Sequence, residues 1–261
     1  MHRTLIRSRF AIGALALAAL AIGASAHAQA TIDQKKALAG SVTPGDAAGF
    51  PVTLSVPGSY KLTGNLIVPA GLSGVEITAS GVTLDLNGFN VSGPVTCTRD
   101  QATSAVTCIS TFPTAIGVQL KAPGNTVRNG GVRGFYQGVH VLGGDQLDGL
   151  LIEHNYYNGV SASNHEGART LIRNVRSQFN GFDGIGLPDA LVTGSTAGGN
   201  GRHGFRLSRG VLLDSVAFAN KGIGITDNNI AVGRSVAQGN KGGNIVSATS
   251  LGGNLNDAEL F

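Results

Sequence analysis

Asp183 and His203 stand 20 residues apart, and Arg206 follows. A carboxylate and an imidazole brought together can move a proton, and a guanidinium can hold the charge that develops. These three residues are therefore the candidates for catalysis. They belong to columns that appear when the chain is aligned on a recurring glycine. Directly before that glycine stand Gln137, Asn158, Asp183 and His203, and one place earlier Tyr136, Tyr157, Phe182 and Arg202. Two places after it come Gln119, His140, Ser161, Gly186, Arg206 and Thr226. If the chain returns at each glycine, Asp183 and His203 sit one strand spacing apart, about 5 Å. The candidates for binding are Tyr136, Gln137, His140, Tyr157, Asn158, Phe182 and Arg202. Flat rings would cover apolar sugar faces, amides would bond sugar hydroxyls, and arginine would match a uronate carboxylate. The competing reading is a solvated polar ladder, with Tyr136, Tyr157 and Phe182 stacked in a corner of the core.

The element that would bring these residues together is a repeat. Asn180, Asn200, Asn220 and Asn240 are 20 residues apart, each followed four residues later by Gly184, Gly204, Gly224 or Asn244. Asn155 precedes Gly159 by the same interval, and Gly138 and Gly117 extend the series upstream. After each glycine comes a short alternating segment, such as Gly138-Val139-His140-Val141 or Gly204-Phe205-Arg206-Leu207. Second apolar runs lie between, including Leu171-Ile172, Leu191-Val192 and Ala231-Val232. A single strand of this kind cannot bury its apolar side, whereas stacking like on like makes a continuous column. The period, the glycine corners and the recurrent asparagines predict an all-β parallel β-helix of about ten coils, each with two or three strands. Asparagine is expected at the turns, where it tolerates left-handed geometry and where stacked amides bond along the ladder. A leucine-rich repeat would need a Leu-x-x-Leu-x-Leu signature, which is missing.

Composition agrees. The 261 residues include 40 Gly and no Trp, and only 13% are charged, which argues against helical bundles. Apolar residues reach 42%, enough for a packed core. The formal charge of +4 is largely a property of the first thirty residues, which carry Arg3, Arg7 and Arg9 and no acid. No basic patch with interleaved aromatics points to nucleic acid. Those thirty residues, with an apolar run from Phe10 to Ile22 and Ala26-His27-Ala28 or Ala28-Gln29-Ala30 as a cleavage site, read as an export signal. No later segment is long and apolar enough to cross a bilayer as a helix.

Val82-Thr83-Leu84-Asp85-Leu86-Asn87-Gly88-Phe89 and Pro57-Gly58-Ser59-Tyr60-Lys61-Leu62-Thr63-Gly64-Asn65-Leu66 resemble the opening segments of bacterial right-handed parallel β-helix proteins of the pectin-lyase-like superfold. The resemblance implies the fold over about residues 50–250 and leaves the activity open. Marks of known chemistries on this fold are mostly missing. A polygalacturonase-like site would need neighbouring aspartates with Gly-His-Gly, where this chain has Arg202-His203-Gly204. A calcium-dependent lyase would need a carboxylate cluster, and an alginate epimerase an Asp-Pro-His-Glu run. Neither occurs.

The resulting expectations are a signal over 1–30, a lead-in over 31–50 with a short helix from Asp33 to Ala39, a solenoid over 51–250, and a C-terminal cap over 251–261. A loop excursion over 94–113 would be pinned by a Cys97–Cys108 disulfide, which export permits. His165 and Glu166 fall in an inserted loop that would overhang the rod. Glu153 and His154 read as a surface pair, His140 as exposed, and Asp85 as an outward solubilising group. No metal or cofactor is expected. The functional expectation is an exported protein that binds a polysaccharide or other extended glycan along its ladder, with processing of that glycan left open. The alternative is a non-catalytic structural or surface-interaction module of the cell envelope.

Overall fold

The computed structural model describes residues 29–109, 114–163, 169–226, 228–257 and 259–260. The expected signal lies almost wholly outside them, as do His165 and Glu166.

The chain winds as a parallel β-helix. One wall is a sheet of eight parallel strands, stacked as Val52–Leu54, Val75–Ile77, Ile116–Leu120, Gln137–Val141, Val160–Ala162, Ile185–Leu187, Phe205–Leu207 and Ile225–Thr226. A parallel bridge from Ile225 to Ile245 adds a further rung. The larger sheet takes two strands from a typical coil, for example Ala190–Thr193 and Thr196–Gly198. Two columns of left-handed residues bend the chain around these strands. Asn174, Gly194, Asp214 and Arg234 form one, with φ between 48° and 58°. His154, Phe179, Gly199, Ala219 and Gly239 form the other, with φ between 52° and 62°.

The interior follows from the alternation. Val139, Val160, Ile185, Phe205 and Ile225 make one buried column, and Val127, Leu147, Ile172, Val192, Leu212 and Val232 a second. Along the third, Val132 and Ile152 give way to Ser177, Ala197, Ala217 and Ala237. The aligned glycine of the opposite wall packs against this column throughout, beside Val132 and Ile152 as beside Ala197 and Ala217. A Cβ placed on Gly184 would lie 3.1 Å from the Ala197 Cβ and 2.8 Å from the Gly204 carbonyl oxygen. The two walls approach so closely that the aligned glycines cannot carry a side chain. The repeating glycine therefore marks close packing, with no left-handed backbone at Gly184 or Gly204.

The asparagines stack as amides, but the left-handed residue is the one before each of them. Asparagine is thus selected here for its amide and not for its backbone tolerance. Asn155, Asn180, Asn200 and Asn220 are fully buried. The Asn180 backbone N–H and its Nδ2 both donate to Asn200 Oδ1, at 3.1 Å each, and Asn200 repeats both bonds to Asn220 at 2.9 and 3.0 Å. A parallel serine ladder runs inside the other bend. Val175 N donates to Ser195 Oγ, Ser195 N to Ser215 Oγ and Ser215 N to Ser235 Oγ, each at 3.2 Å.

At the N-terminal end, Ala30–Ile32 already pairs in parallel with Gly58–Leu62, ahead of residue 51. The helix Gln34–Ala39 follows, with Asp33 accepting the Lys36 N–H at 2.7 Å as its N-cap. At the other end, Leu255–Asn256 pairs antiparallel with Glu259–Leu260. The excursion is more ordered than a loop. Thr96–Arg99 and Val106–Ile109 form an antiparallel hairpin, and Cys97 and Cys108 face each other across it in a disulfide.

Candidate functional site

The site forms where the coils turn into the eight-stranded wall. The aligned columns stack in the expected register. Gln119, His140, Ser161, Gly186, Arg206 and Thr226 follow one another rung by rung on that wall.

Asp183 lies at the centre with 0% exposure. Its Oδ1 accepts from Arg202 Nε at 2.7 Å and from the His203 backbone N–H at 3.2 Å. Its Oδ2 accepts from Arg202 Nη2 at 2.7 Å and from Arg206 Nε at 2.8 Å. A buried carboxylate is stable only with such donors. Gly186 leaves room for the cluster, since a Cβ there would lie 3.3 Å from Asp183 Oδ2 and 3.5 Å from Arg206 Nη2. His203 is half-buried. Its Nδ1 accepts the Ile223 N–H at 3.0 Å, which places the neutral ring's proton on Nε2. Burial pushes its pKa below the ordinary histidine value, Asp183 opposes that shift, and Arg202 and Arg206 add to it.

One rung register away, the aromatic residues stack along the axis. Tyr136 and Tyr157 are parallel within 1° at 5.5 Å, and Tyr157 and Phe182 lie 4.3 Å apart. The Arg202 guanidinium carbon sits 3.8 Å from the Phe182 ring centre. Tyr157 is therefore flanked by Tyr136 and Phe182, and Phe182 by Tyr157 and Arg202. These rings cover one another's faces and present their edges outward. Tyr136 has its phenol pKa raised, first by burial and then by the neighbouring Tyr157 and Tyr156.

A polar network extends the site. His140 Nδ1 lies 3.0 Å from Ser161 Oγ and 3.2 Å from Gln137 Oε1, and its Nε2 lies 2.9 Å from Ser163 Oγ. Ser161 Oγ donates to Gln137 Oε1 at 2.6 Å. His140 is half-buried rather than exposed, and burial lowers its pKa. On the same rung as Ser161, Asn158 Oδ1 accepts the Asp183 N–H at 3.1 Å.

Other expected residues lie apart. Glu153 and His154 approach to 3.9 Å at a bend. Asp85 is buried, not solubilising: it accepts the Asn87 N–H at 2.8 Å and Arg128 Nε at 3.2 Å. Its carboxylate closes the turn that follows its strand. A groove of about 470 Å³ runs along a bend of the larger sheet past Asn90, Gly131, Leu151, Asn174 and Arg176, and touches none of the expected residues. A second groove, about 410 Å³, does meet the site. It lies between Val106, Thr107 and Cys108 of the hairpin and Tyr156, Tyr157 and Phe182 of the corner, with Gly181 between them. Sequence reasoning missed Tyr156 and the hairpin wall. The Tyr156-Tyr157 doublet was the available signal, since one of two neighbours at a corner must face away from its own column. Among the described residues no three His, Cys, Asp or Glu side chains converge as metal ligands, and no helix is long and apolar enough to cross a membrane.

The stacked parallel sheets and amide ladder define a parallel β-helix protein. No family model matches the sequence, and no curated protein matches it. Among solved structures, the chain is similar to pectate lyase Pel9A, with 18% identity, a TM-score of 0.54, and coverage of 71% of this chain and 56% of that one. It also matches the Dettilon tailspike protein at 15% identity and a TM-score of 0.46, over 70% of this chain and 44% of the tailspike. The chain thus spans about half the length of these structures, and the likeness to the lyase is one of fold.

Proposed function

We propose that this protein is an exported β-helix protein that binds a polysaccharide along the outer face of its eight-stranded wall and the adjoining aromatic corner. The observation that carries this reading is the continuity of the face. Gln137 and His140 on one rung and Asn158 and Ser161 on the next bring amide, imidazole and hydroxyl groups to this face, the latter two largely buried in it, beside the half-exposed edges of Tyr136, Tyr157 and Phe182. That pectate lyase Pel9A shares the fold is consistent with this reading. The disulfide fits an oxidising compartment, periplasmic or extracellular.

Binding without turnover is the form we favour. Four donors occupy both Asp183 oxygens and no water reaches them, so a proton-transfer role for Asp183 with His203 and Arg206 would first require the cluster to open. The test is a glycan array followed by calorimetry on the hits. Weak binding is expected, and a Tyr157→Ala, Arg206→Ala double variant that keeps the wild-type circular dichroism should lose it. An array without hits at high protein concentration would leave the non-catalytic envelope module as the better account.

A further inference from the structure

The groove beside the hairpin differs from the rest of the face. The residues around it, Val106, Thr107, Cys108, Tyr156, Tyr157, Gly181 and Phe182, include no group charged at neutral pH. The neighbouring cations are already engaged: Arg202 by Asp183 and Phe182, and Arg99, the cross-strand partner of Val106, by the Ala219 carbonyl and Ser104. One wall is aromatic edge and the other mixes a methyl-bearing strand with a hydroxyl. Tyr156 is 40% exposed, the most open ring of the corner.

The hairpin is held over the corner from both of its ends. Cys97 Sγ and Cys108 Sγ both lie 3.6 Å from the Asn155 carbonyl oxygen. Further along, Arg99 Nη2 donates to the Ala219 carbonyl and to Ser104 Oγ, each at 3.0 Å. The seat is shaped for it: a Cβ on Gly181 would lie 3.1 Å from Cys108 Sγ, and one on Gly199 would lie 3.2 Å from Arg99 Nε. The disulfide thus ties the two strands together at the point where they rest on the corner, and the groove wall is the strand that carries Cys108.

We infer that this groove is a subsite for an uncharged saccharide segment, running along the rod axis between Thr107 and Tyr156, and that the Cys97–Cys108 disulfide keeps the subsite formed. The inference rests on the polysaccharide-binding reading and adds to it the ligand's charge class and a redox condition. An uncharged sugar suits the lining because its hydroxyls meet the Thr107 and tyrosine hydroxyls while its C–H faces meet Val106 and the ring edges. A charged sugar would enter with nothing there to replace its hydration.

The protein carries its own reporter. It has no tryptophan and four tyrosines, three of which, Tyr136, Tyr156 and Tyr157, are at this corner. Tyrosine fluorescence is titrated with cellohexaose, xylohexaose and mannohexaose as uncharged probes and with hexagalacturonate as a charged one. The oxidised protein should respond to at least one uncharged probe and bind hexagalacturonate at least tenfold more weakly. Dithiothreitol, a Cys97→Ser, Cys108→Ser double variant, and Thr107→Arg should each weaken the uncharged probe at least fivefold with circular dichroism unchanged. Thr107→Arg keeps the disulfide, so it tests the wall even if the serine variant folds poorly. Uncharged binding that ignores both reduction and Thr107→Arg would overturn the inference and leave the binding face standing elsewhere, as would a response to hexagalacturonate alone. Silence towards every probe, joined to an empty glycan array, would overturn both.

Discussion

Asp183 and Arg202 are joined by two parallel hydrogen bonds of 2.7 Å, one from each of two guanidinium nitrogens to each carboxylate oxygen. The carboxylate side chain is wholly buried while the guanidinium keeps about a third of its surface in water. The pair therefore has one fixed partner and one that solvent can still reach, and the same holds for Arg206.

Removing the fixed partner is the costlier change. Asp183→Ala removes the carboxylate that accepts from Arg202, Arg206 and the His203 N–H. Breaking a fully buried pair costs about 3–5 kcal/mol. Solvent access to both arginines reduces this to roughly 2–3 kcal/mol here. Arg206→Ala leaves Arg202 still bidentate and should cost about 1 kcal/mol. Urea unfolding of the two variants checks the order, and equal losses would contradict it.

The amide ladder predicts a gradient. Asn200→Ala removes the acceptor of two Asn180 donors; Nδ2 keeps Ser177 Oγ, but the buried Asn180 N–H is left without it, which should cost roughly 1–3 kcal/mol. Asn240 retains some exposure at 9%, and water can replace part of what Asn240→Ala removes. Thermal unfolding should show a markedly smaller loss for Asn240→Ala.

Two glycine substitutions separate steric from backbone strain. Gly184→Ala places a methyl against the Gly204 carbonyl and Asn200 Nδ2 and should cost about 2–3 kcal/mol. Gly124 has a positive φ of 78° and open space around it. Gly124→Ala should cost only the left-handed penalty, about 1–2 kcal/mol. Comparable unfolding midpoints would show that the walls yield more than their spacing implies.

Stability should fall on mild acidification. His140 and His203 both have folded-state pKa values below the ordinary one, chiefly through burial. Such groups contribute stability that is complete above about pH 6.5 and is lost as the unfolded chain takes up protons below that. The melting temperature should be flat from about pH 8 to 7 and decline below pH 6.5, with the decline shallower in a His140→Gln, His203→Gln variant. An unchanged slope in that variant would assign the decline to other groups.

The sequence made the coil period legible because a 20-residue spacing repeats in asparagine and in glycine together. The columns holding Tyr136, Tyr157, Phe182 and Arg202 could be read for the same reason. Side-chain depth could not. Asp183 and His203 occupy equivalent places in the alignment, yet one is sealed and the other half-open, because the Asp183 carboxylate draws Arg202 and Arg206 over itself. The serine ladder at Ser195, Ser215 and Ser235 carried the full period and was overlooked, since serine in a bend reads as solvent-facing. Nothing local announced that Thr96 to Ile109 would fold back over later coils, because its contacts with Asn155 and Ala219 lie far along the chain.

That folding back changes how the rod should come apart. In a plain stack each turn touches only its neighbours and the ends can peel away singly. Here an early segment grips positions as distant as Asn155 and Ala219, so the turns between them are splinted and must loosen together. Under mechanical load or in a hydrogen-exchange experiment that stretch behaves as one block, and peeling from the C-terminal side halts where Arg99 holds on.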